Sequence, residues 1–183
     1  MRELWVFLPA LGSPLLHAPV LKWDLFPRLN RPLDGGALFR GRRVFGDNKT
    51  WRGAFFMTSG TVIATALLSL WPAWWHRLPQ DFRDAGPWLV GLLLGLAVVV
   101  GELPNSFLKR RLGIAPGKQR HGPAGVAISI YDQADWVPAA WLLLLPVHAL
   151  SALDVAIAFA IVTAIHVPIN VIGYAIGART DPI

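Results

Sequence analysis

The chain has 183 residues, of which 54% are hydrophobic and only 15% are charged, and its formal net charge is +6. Soluble domains carry about 25% charged residues, so this composition leaves too little charge for an ordinary water-facing surface. The absence of Cys excludes a disulfide framework, a thiolate zinc site and a cysteine nucleophile. The composition therefore predicts an integral membrane protein.

Five apolar segments follow one another along the chain, each near the roughly 20 residues that a helix needs to cross the hydrocarbon core. They cover residues 4–21, 53–75, 87–103, 136–150 and 152–176. The first contains Pro9, Pro14 and Pro19, which remove backbone donors. A cleaved signal peptide is the alternative for this segment, but Glu3 cancels the charge of Arg2 at the start of the chain. We therefore expect a retained, broken first helix.

The basic residues concentrate in two hydrophilic loops, 22–52 and 104–135, which together carry 13 of the 17 Lys and Arg residues. By the positive-inside rule, both loops face the cytoplasm. The N-terminus is then outside, and the C-terminus, with Arg179, is inside. This topology explains much of the positive charge, so nucleic-acid binding is not expected. We predict a single all-α integral membrane domain over residues 1–183, located in the cell membrane.

Residues 101–113 read Gly-Glu-Leu-Pro-Asn-Ser-Phe-Leu-Lys-Arg-Arg-Leu-Gly and continue the third span as a predicted helix. Spacings of three and four place four polar side chains on one face. They are Glu102, Ser106, Lys109 and Arg110. Such a face suits a metal-bound polyphosphate, whereas the alternative is a basic cluster that only anchors the topology. Because a carboxylate at the end of an apolar span is costly, Glu102 favours a functional site.

Asp132 and Asp135 are three residues apart where the fourth span begins. On a helical start, both carboxylates share a face, and Mg²⁺ typically takes one or two carboxylates together with water and substrate phosphates. Acidic residues are also common in the first turn of a helix, which is the alternative. Two carboxylates in a loop full of cations favour the metal site.

The first basic loop contains Gly46-Asp-Asn-Lys-Thr-Trp-Arg-Gly53. Its two glycines allow close backbone approach, and Lys49, Thr50 and Arg52 are residue types that bind phosphate. The spacing is not that of a Walker loop. From the residues alone, this is a basic juxtamembrane segment that can touch anionic lipid head groups.

Together, the strings 46–53, 101–113 and Asp-Gln-Ala-Asp at 132–135 resemble the CDP-archaeol synthase family, a compact branch of the CDP-diacylglycerol synthase superfamily. The resemblance covers nearly the whole chain. It implies about five transmembrane helices around a polar cavity that opens to the cytoplasm. It also implies transfer of a cytidylyl group from CTP to a lipid phosphate, with Mg²⁺ as cofactor and the active site facing the cytoplasm.

The resemblance also assigns roles to individual residues. It implies that Asp132 and Asp135 hold the metal, with Glu102 as a third acidic residue. Glu102 stands where the family commonly has Asp, which leaves direct and water-mediated metal binding both open. The residues implied in CTP and phosphate binding are Lys49, Thr50, Arg52, Ser106, Lys109, Arg110 and Arg111; Lys109 is also expected to be catalytic.

The residue inventory suits this reaction, because a lipid phosphate is already anionic and needs charge neutralisation rather than a general base. Two alternatives stay open: a non-catalytic membrane lipid-binding protein, and a CTP-dependent enzyme similar to polyprenol kinases. The residues do not distinguish an ester-linked acyl lipid from an isoprenoid ether lipid. Residues 118–125 depart from the archaeal pattern, which is compatible with a bacterial relative that uses a different lipid.

Several polar and small residues lie inside the predicted spans. For His17, His166 and Asn170, an interhelical hydrogen bond is favoured over a proton relay. The small-residue faces Gly91-x-x-x-Gly95 and Gly173-x-x-x-Gly177 are compatible with a homodimer as well as with packing inside one chain. His121, in the second cytoplasmic loop, is left unassigned.

Overall fold

The computed structural model describes residues 2–116 and 122–175, apart from the side chains of 123–124 and 167–175. The regular secondary structure of this part is helical except for one short hairpin. The helices are α1 Gly12–Lys22, α2 Trp51–Ser69, α3 Pro72–Trp75, α4 Gln80–Arg111, α5 Pro123–Ala134, α6 Trp136–Leu144 and α7 Ala152–Ala175. In the hairpin, β1 (Leu38–Phe39) pairs antiparallel with β2 (Arg42–Arg43). Two 3₁₀ helices, Glu3–Leu11 and Pro27–Leu29, complete the fold.

Two helical stretches of the described chain, Glu3–Lys22 and Gln80–Arg111, are long and apolar enough to cross a membrane, judged by length and composition. The first changes from a 3₁₀ helix to the α-helix at Gly12, as expected for the proline-rich segment. The second contains the predicted span 87–103 and continues to Arg111. The predicted helical extension over residues 101–113 is therefore confirmed as far as Arg111.

Two predicted spans differ in extent from the helices, and proline is the reason in both. The predicted span 53–75 is interrupted after Ser69, because Pro72 disfavours helical geometry at Trp71 and starts α3. The predicted span 136–150 ends as a helix at Leu144, because Pro146 has no N–H to donate to the carbonyl group of Leu142. At nine residues, α6 is too short to cross the hydrocarbon alone. It follows α5 almost directly, with Asp135 between them.

Helix α4 is central, packing against α2 on one side and α6 on the other. The face with Gly91 and Gly95 meets α2 at close range: a Cβ at Gly91 would lie 2.9 Å from Val62 Cα, and one at Gly95 would lie 2.8 Å from Thr58 Cα. This small-residue face is therefore used for packing within one chain. Among the described residues, the largest fully buried side chains include Trp74, Phe82, Leu94 and Leu144.

The predictions for the other polar and small residues of the spans have to be compared with the structure one by one. His166 Nδ1 lies 2.9 Å from the carbonyl oxygen of Val162. This contact is within α7, so His166 Nδ1 does not form the predicted interhelical hydrogen bond. The Asn170 side chain and the Gly173-x-x-x-Gly177 face fall outside the part whose side chains are described.

Candidate functional site

The polar face of α4 is built by helical spacing. Glu102, Asn105, Ser106 and Lys109 recur at intervals of three and four residues, and α4 is continuous through all of them. Asn105 and Ser106 are buried. This face is turned towards the end of α5 on one side and towards the first basic loop on the other, as the following contacts show.

The two carboxylates of the predicted metal site meet this face through one side chain. Asn105 Nδ2 donates a hydrogen bond to Asp132 Oδ1 at 2.7 Å and another to Asp135 Oδ2 at 3.1 Å. Asp132 lies in the last turn of α5 and Asp135 follows that helix, so the predicted placement at a helix start is wrong for Asp132. The Asp135 side chain makes no capping hydrogen bond to α6, and helix capping therefore does not explain this residue.

A close backbone contact holds this arrangement. A Cβ at Gly101 would lie 2.4 Å from Trp136 Cα and 2.8 Å from the carbonyl oxygen of Asp135. Only Gly allows α4 and α6 to approach so closely. Because Asn105 is one helical turn beyond Gly101, this contact brings its amide to the buried Asp135, which is only 4% exposed.

Two lysines neutralise part of the acidic charge. Lys49 Nζ forms an ion pair with Glu102, and Lys109 Nζ donates to Asp132 Oδ1 at 2.5 Å. The negative charges of Glu102 and Asp132 both act on Asp135, for which the described residues include no directly paired cation. The buried corner around Asp135 is therefore an environment that favours a positive ion.

The donor atoms at this corner suit Mg²⁺. Asn105 Oδ1 is buried and has no hydrogen-bond partner in the described part of the chain. Together with Asp132 and Asp135, it supplies the oxygen ligands that Mg²⁺ prefers. No group of three or more His, Cys, Asp or Glu side chains within the described residues is arranged to hold a metal. Glu102 is thus not grouped with the aspartates as a third ligand, and its carboxylate faces Lys49.

Arg110 is the predicted phosphate-binding residue with the most unused hydrogen-bonding capacity. Arg110 is 7% exposed, and its Nε and Nη1 atoms have no hydrogen-bond partner among the described residues. Its Cδ atom lies 3.8 Å from where a Cβ of Gly46 would be. Gly46 has a φ of +105°, which favours glycine at this turn. A buried guanidinium under a glycine turn can bind an anionic oxygen.

Thr50 and Arg52 have structural partners. The Thr50 Oγ1 atom caps α2 by accepting a hydrogen bond from Gly53 N at 3.1 Å. Arg52 Nη1 donates to Asp24 Oδ1 at 2.6 Å and to the carbonyl oxygen of Leu25 at 3.0 Å. Both residues fix the junction between the first loop and α2, next to Lys49.

Arg111 points away from the acidic corner. Its guanidinium stacks on the rings of Phe39 and Phe107, with 5.3 Å and 4.9 Å to the ring centroids. It also donates to the carbonyl oxygens of Arg42 at 3.1 Å and of Arg43 at 2.5 Å. In return, Arg42 Nη1 donates to the carbonyl oxygen of Arg111 at 2.5 Å. These contacts use Arg111 to hold the hairpin against the end of α4.

Asp34 organises the first loop, although no motif in the sequence marks this residue. Its carboxylate accepts hydrogen bonds from the backbone of Gly36, Phe45 and Gly46 and from Arg43 Nη2. Burial raises the pKa of Asp34, but the hydrogen bonds from Phe45, Arg43, Gly36 and Gly46 outweigh it and lower the pKa. The ionised carboxylate thus closes the loop that leads to Lys49.

Asn105 is the main residue that sequence reasoning missed. It stands inside the 101–113 motif, three positions after Glu102 and four before Lys109, so its spacing placed it on the polar face. An amide carries no charge, so the pattern of charged residues does not single out Asn105. His121 lies outside the described residues. A surface groove of about 370 Å³ lies elsewhere, and none of the predicted site residues line it: its walls are Arg2, Trp5, His76 and Arg77.

The sequence comparisons agree with one another. The family model described as CarS-like, CDP-archaeol synthase, matches residues 29–182. A CDP-archaeol synthase of Halobacterium salinarum is 38% identical over 188 residues, which cover 98% of this chain and 94% of the relative. A CDP-archaeol synthase of Pyrococcus furiosus is 33% identical over 184 residues, which cover 100% of this chain and 97% of the relative.

A solved structure has the same fold. It is described as an intramembrane enzyme for archaeal membrane lipids biosynthesis, and it superposes with a TM-score of 0.66 at 24% identity. The match covers 91% of this chain and 91% of that chain. The helical arrangement described above is therefore shared over nearly the whole length.

Proposed function

Because the chain belongs to the CarS-like family of CDP-archaeol synthases, we propose that it makes CDP-archaeol by transferring the cytidylyl group of CTP to the phosphate of an archaeal ether lipid. It is a CTP-dependent nucleotidyltransferase. The acceptor follows from the relatives, which are named CDP-archaeol synthases. The reaction takes place at the cluster formed by α4, the end of α5 and the first basic loop.

The enzyme works within a membrane as a single domain, with the two basic loops on the cytoplasmic side. Support comes from the two long apolar helical stretches and from the large apolar side chains that the described helices expose, such as Leu15, Leu67 and Leu142. The first three predicted spans fall on α1 with its preceding 3₁₀ helix, on α2 with α3, and on α4. The fourth predicted span, 136–150, contains α6 alone, because α5 lies in the predicted loop 104–135, and the fifth falls on α7. The polar cavity opens between the cytoplasmic ends of α2 and α4 and the junction of α5 with α6.

Asp132, Asp135 and Asn105 form the binding site for Mg²⁺. The hydrogen bonds that join these side chains, together with the unpartnered Asn105 Oδ1, are the observation that carries this assignment. When bound, Mg²⁺ would neutralise phosphate charge and stabilise the leaving pyrophosphate. Asn105 orients both carboxylates through its amide group, and Lys109 holds the Asp132 carboxylate in place by a hydrogen bond.

The phosphates of CTP lie along the end of α4. Arg110 provides unpaired guanidinium donors beside Gly46, and Lys109 provides a second cation one residue away on the same helix. Lys49 is held near the polar face by Glu102. The buried Ser106 hydroxyl lies one turn before Arg110. This set of donors binds the triphosphate and presents its α-phosphorus to the acceptor.

The acceptor attacks without a general base. An oxygen of the lipid phosphate is already anionic near neutral pH, and it forms a new P–O bond with the α-phosphorus of CTP. The bond between the α-phosphorus and the oxygen that bridges it to the β-phosphorus breaks, and pyrophosphate leaves with that electron pair. Lys109 and Arg110 bind the charge that accumulates on the leaving group.

A turnover assay on the purified protein tests the proposal. Labelled CTP and Mg²⁺ are supplied with phosphatidic acid or with an unsaturated isoprenoid ether lipid phosphate, and labelled CDP-lipid is measured. We expect product with the ether lipid in the wild type, and a loss of at least 100-fold in D135N. D84N, which alters an exposed carboxylate near the start of α4, serves as the matched control and should retain activity.

Each other outcome has a defined meaning. Product with phosphatidic acid alone would replace the proposed acceptor. Transfer of only the γ-phosphate of CTP would indicate a kinase. No labelled lipid and no CTP binding would reject the enzyme activity and favour a membrane protein that only binds lipid.

A further inference from the structure

His17 lies against the site although it comes from a different part of the chain. Helix α1 crosses α2 at very short range, since a Cβ at Gly12 would lie 2.3 Å from the carbonyl oxygen of Gly60. This contact places the His17 ring against the first turn of α2. Its Nε2 and Cε1 atoms lie 3.6 Å and 3.7 Å from where a Cβ of Gly53 would be.

The ring has an unused hydrogen-bonding atom in a charged environment. His17 Nε2 is buried and has no partner among the described residues, so the interhelical hydrogen bond predicted for it is not formed at this atom. The charges of Glu102, Arg52 and Lys49 all act on the ring. Buried polar atoms are normally paired, and one that faces a charged site without a partner points to a ligand.

Two anions must meet in this site, and they approach from different sides. CTP arrives from water and is held at the end of α4 by Lys109 and Arg110. The lipid phosphate has to stay near the hydrocarbon because its chains remain there. Glu102 lies seven residues before Lys109 on α4, which is about 10 Å deeper along the helix. His17, which lies against the first turn of α2 and is subject to the charges of Glu102 and Lys49, is on this deeper side.

We infer that His17 binds the acceptor: its Nε2–H donates a hydrogen bond to an oxygen of the lipid phosphate, next to Lys49. This assignment rests on the proposed function, because it requires a phosphate monoester as the second substrate. Helix α1 would then contribute a substrate-binding residue to the site, in addition to packing against α2. The ligand class is a membrane lipid with a terminal phosphate monoester.

Equilibrium binding on the detergent-purified, full-length protein tests this inference. The probes are a labelled isoprenoid ether lipid phosphate, the matching lipid alcohol and labelled CTP. We expect H17L to weaken binding of the lipid phosphate by roughly tenfold, with CTP binding within about twofold of the wild type. H17Q keeps an amide donor near the position of Nε2 and should restore most of the lipid phosphate affinity. H166L, which alters a histidine bonded only within α7 among the described contacts, should behave as the wild type.

Retention of CTP binding shows that H17L is folded. The inference is overturned if H17L binds the lipid phosphate as well as the wild type does, if it loses CTP affinity to the same degree, or if H17Q fails along with H17L. It is also overturned if the wild type does not prefer the phosphate over the alcohol. If the wild type binds both substrates but forms no CDP-lipid, the proposed function fails while the binding data still decide the role of His17.

Discussion

Asn105 shows how a neutral side chain can organise two carboxylates. Its single amide nitrogen bonds to both Asp132 and Asp135, and its oxygen remains free of partners in the described part of the chain. Two adjacent carboxylates repel each other, and burial increases that repulsion. An amide reduces the repulsion without adding a positive charge that would compete with Mg²⁺.

Replacing this amide should therefore weaken Mg²⁺ binding more than it lowers the stability of the fold. We expect N105A to lower CDP-lipid formation about 10- to 100-fold and to raise the Mg²⁺ concentration needed for half-maximal rate. The measurement is a Mg²⁺ titration of the turnover assay. N30A, at an exposed Asn in the first loop, is the control. An unchanged Mg²⁺ requirement in N105A would remove Asn105 from the metal site.

At the scale of secondary-structure elements, the hairpin is attached to the end of α4 by Arg111. The planar guanidinium lies over two neighbouring aromatic rings, Phe39 and Phe107, and donates to main-chain carbonyl groups of both strands. Lysine cannot form this combination, because its ammonium is a point donor without a flat face. The same loop leads through Asp34 and Gly46 to Lys49.

Removing Arg111 should release the hairpin. We expect R111A, and to a lesser degree R111K, to increase the rate of tryptic cleavage after Arg40 or Arg43 and to raise the KM for CTP several-fold. Limited proteolysis with mass spectrometry measures the first effect, and steady-state kinetics measure the second. R28A, at an exposed position of the same loop, should match the wild type in both assays. Equal cleavage rates in R111A and the wild type would disprove the attachment.

The contact between α4 and α6 is the second element-scale feature. A Cβ at Gly101 would collide with the backbone of Asp135 and Trp136, whereas a Cβ at Gly53 would be 3.5 Å from its nearest neighbour, an ordinary contact. We expect G101A to lower the free energy of unfolding by about 1–3 kcal/mol through overpacking, with little change in G53A. Thermal unfolding in detergent measures both. A G101A protein as stable as the wild type would mean that α4 and α6 can separate without loss.

At the scale of the whole molecule, the proposed topology places the site residues of both basic loops on one side of the membrane. Since the chain has no Cys, single cysteines report this topology directly. D47C lies in the first basic loop and D84C near the start of α4. Both aspartates are exposed.

We expect a membrane-impermeant maleimide to label D47C from the cytoplasmic side and D84C from the opposite side. Labelling of inverted and right-side-out membrane vesicles, followed by mass measurement, makes the comparison. The cysteine-free wild type is the control for background labelling. Reaction of both positions from the same side would contradict the proposed topology, because α4 would not cross the membrane between them.

Much of the architecture follows from local properties of the sequence. Composition and the position of the basic residues predict a membrane protein with two basic loops, and helical spacing predicts that Glu102, Ser106 and Lys109 share a face. The motifs at 46–53 and 101–113 carry the family resemblance, which the comparisons confirm. These features are local because charge, hydropathy and helical periodicity depend on residues close together in the chain.

The contacts between elements were decided only by the tertiary structure. Spacing does not reveal that Lys49 faces Glu102, that Arg111 turns to the hairpin, or that His17 rests on the first turn of α2. Helical periodicity fixes which residues share a face of one helix, but contacts between helices depend on how closely their backbones approach. Here, glycines such as Gly101 set that distance, and their close contacts bring residues far apart in the chain into one site.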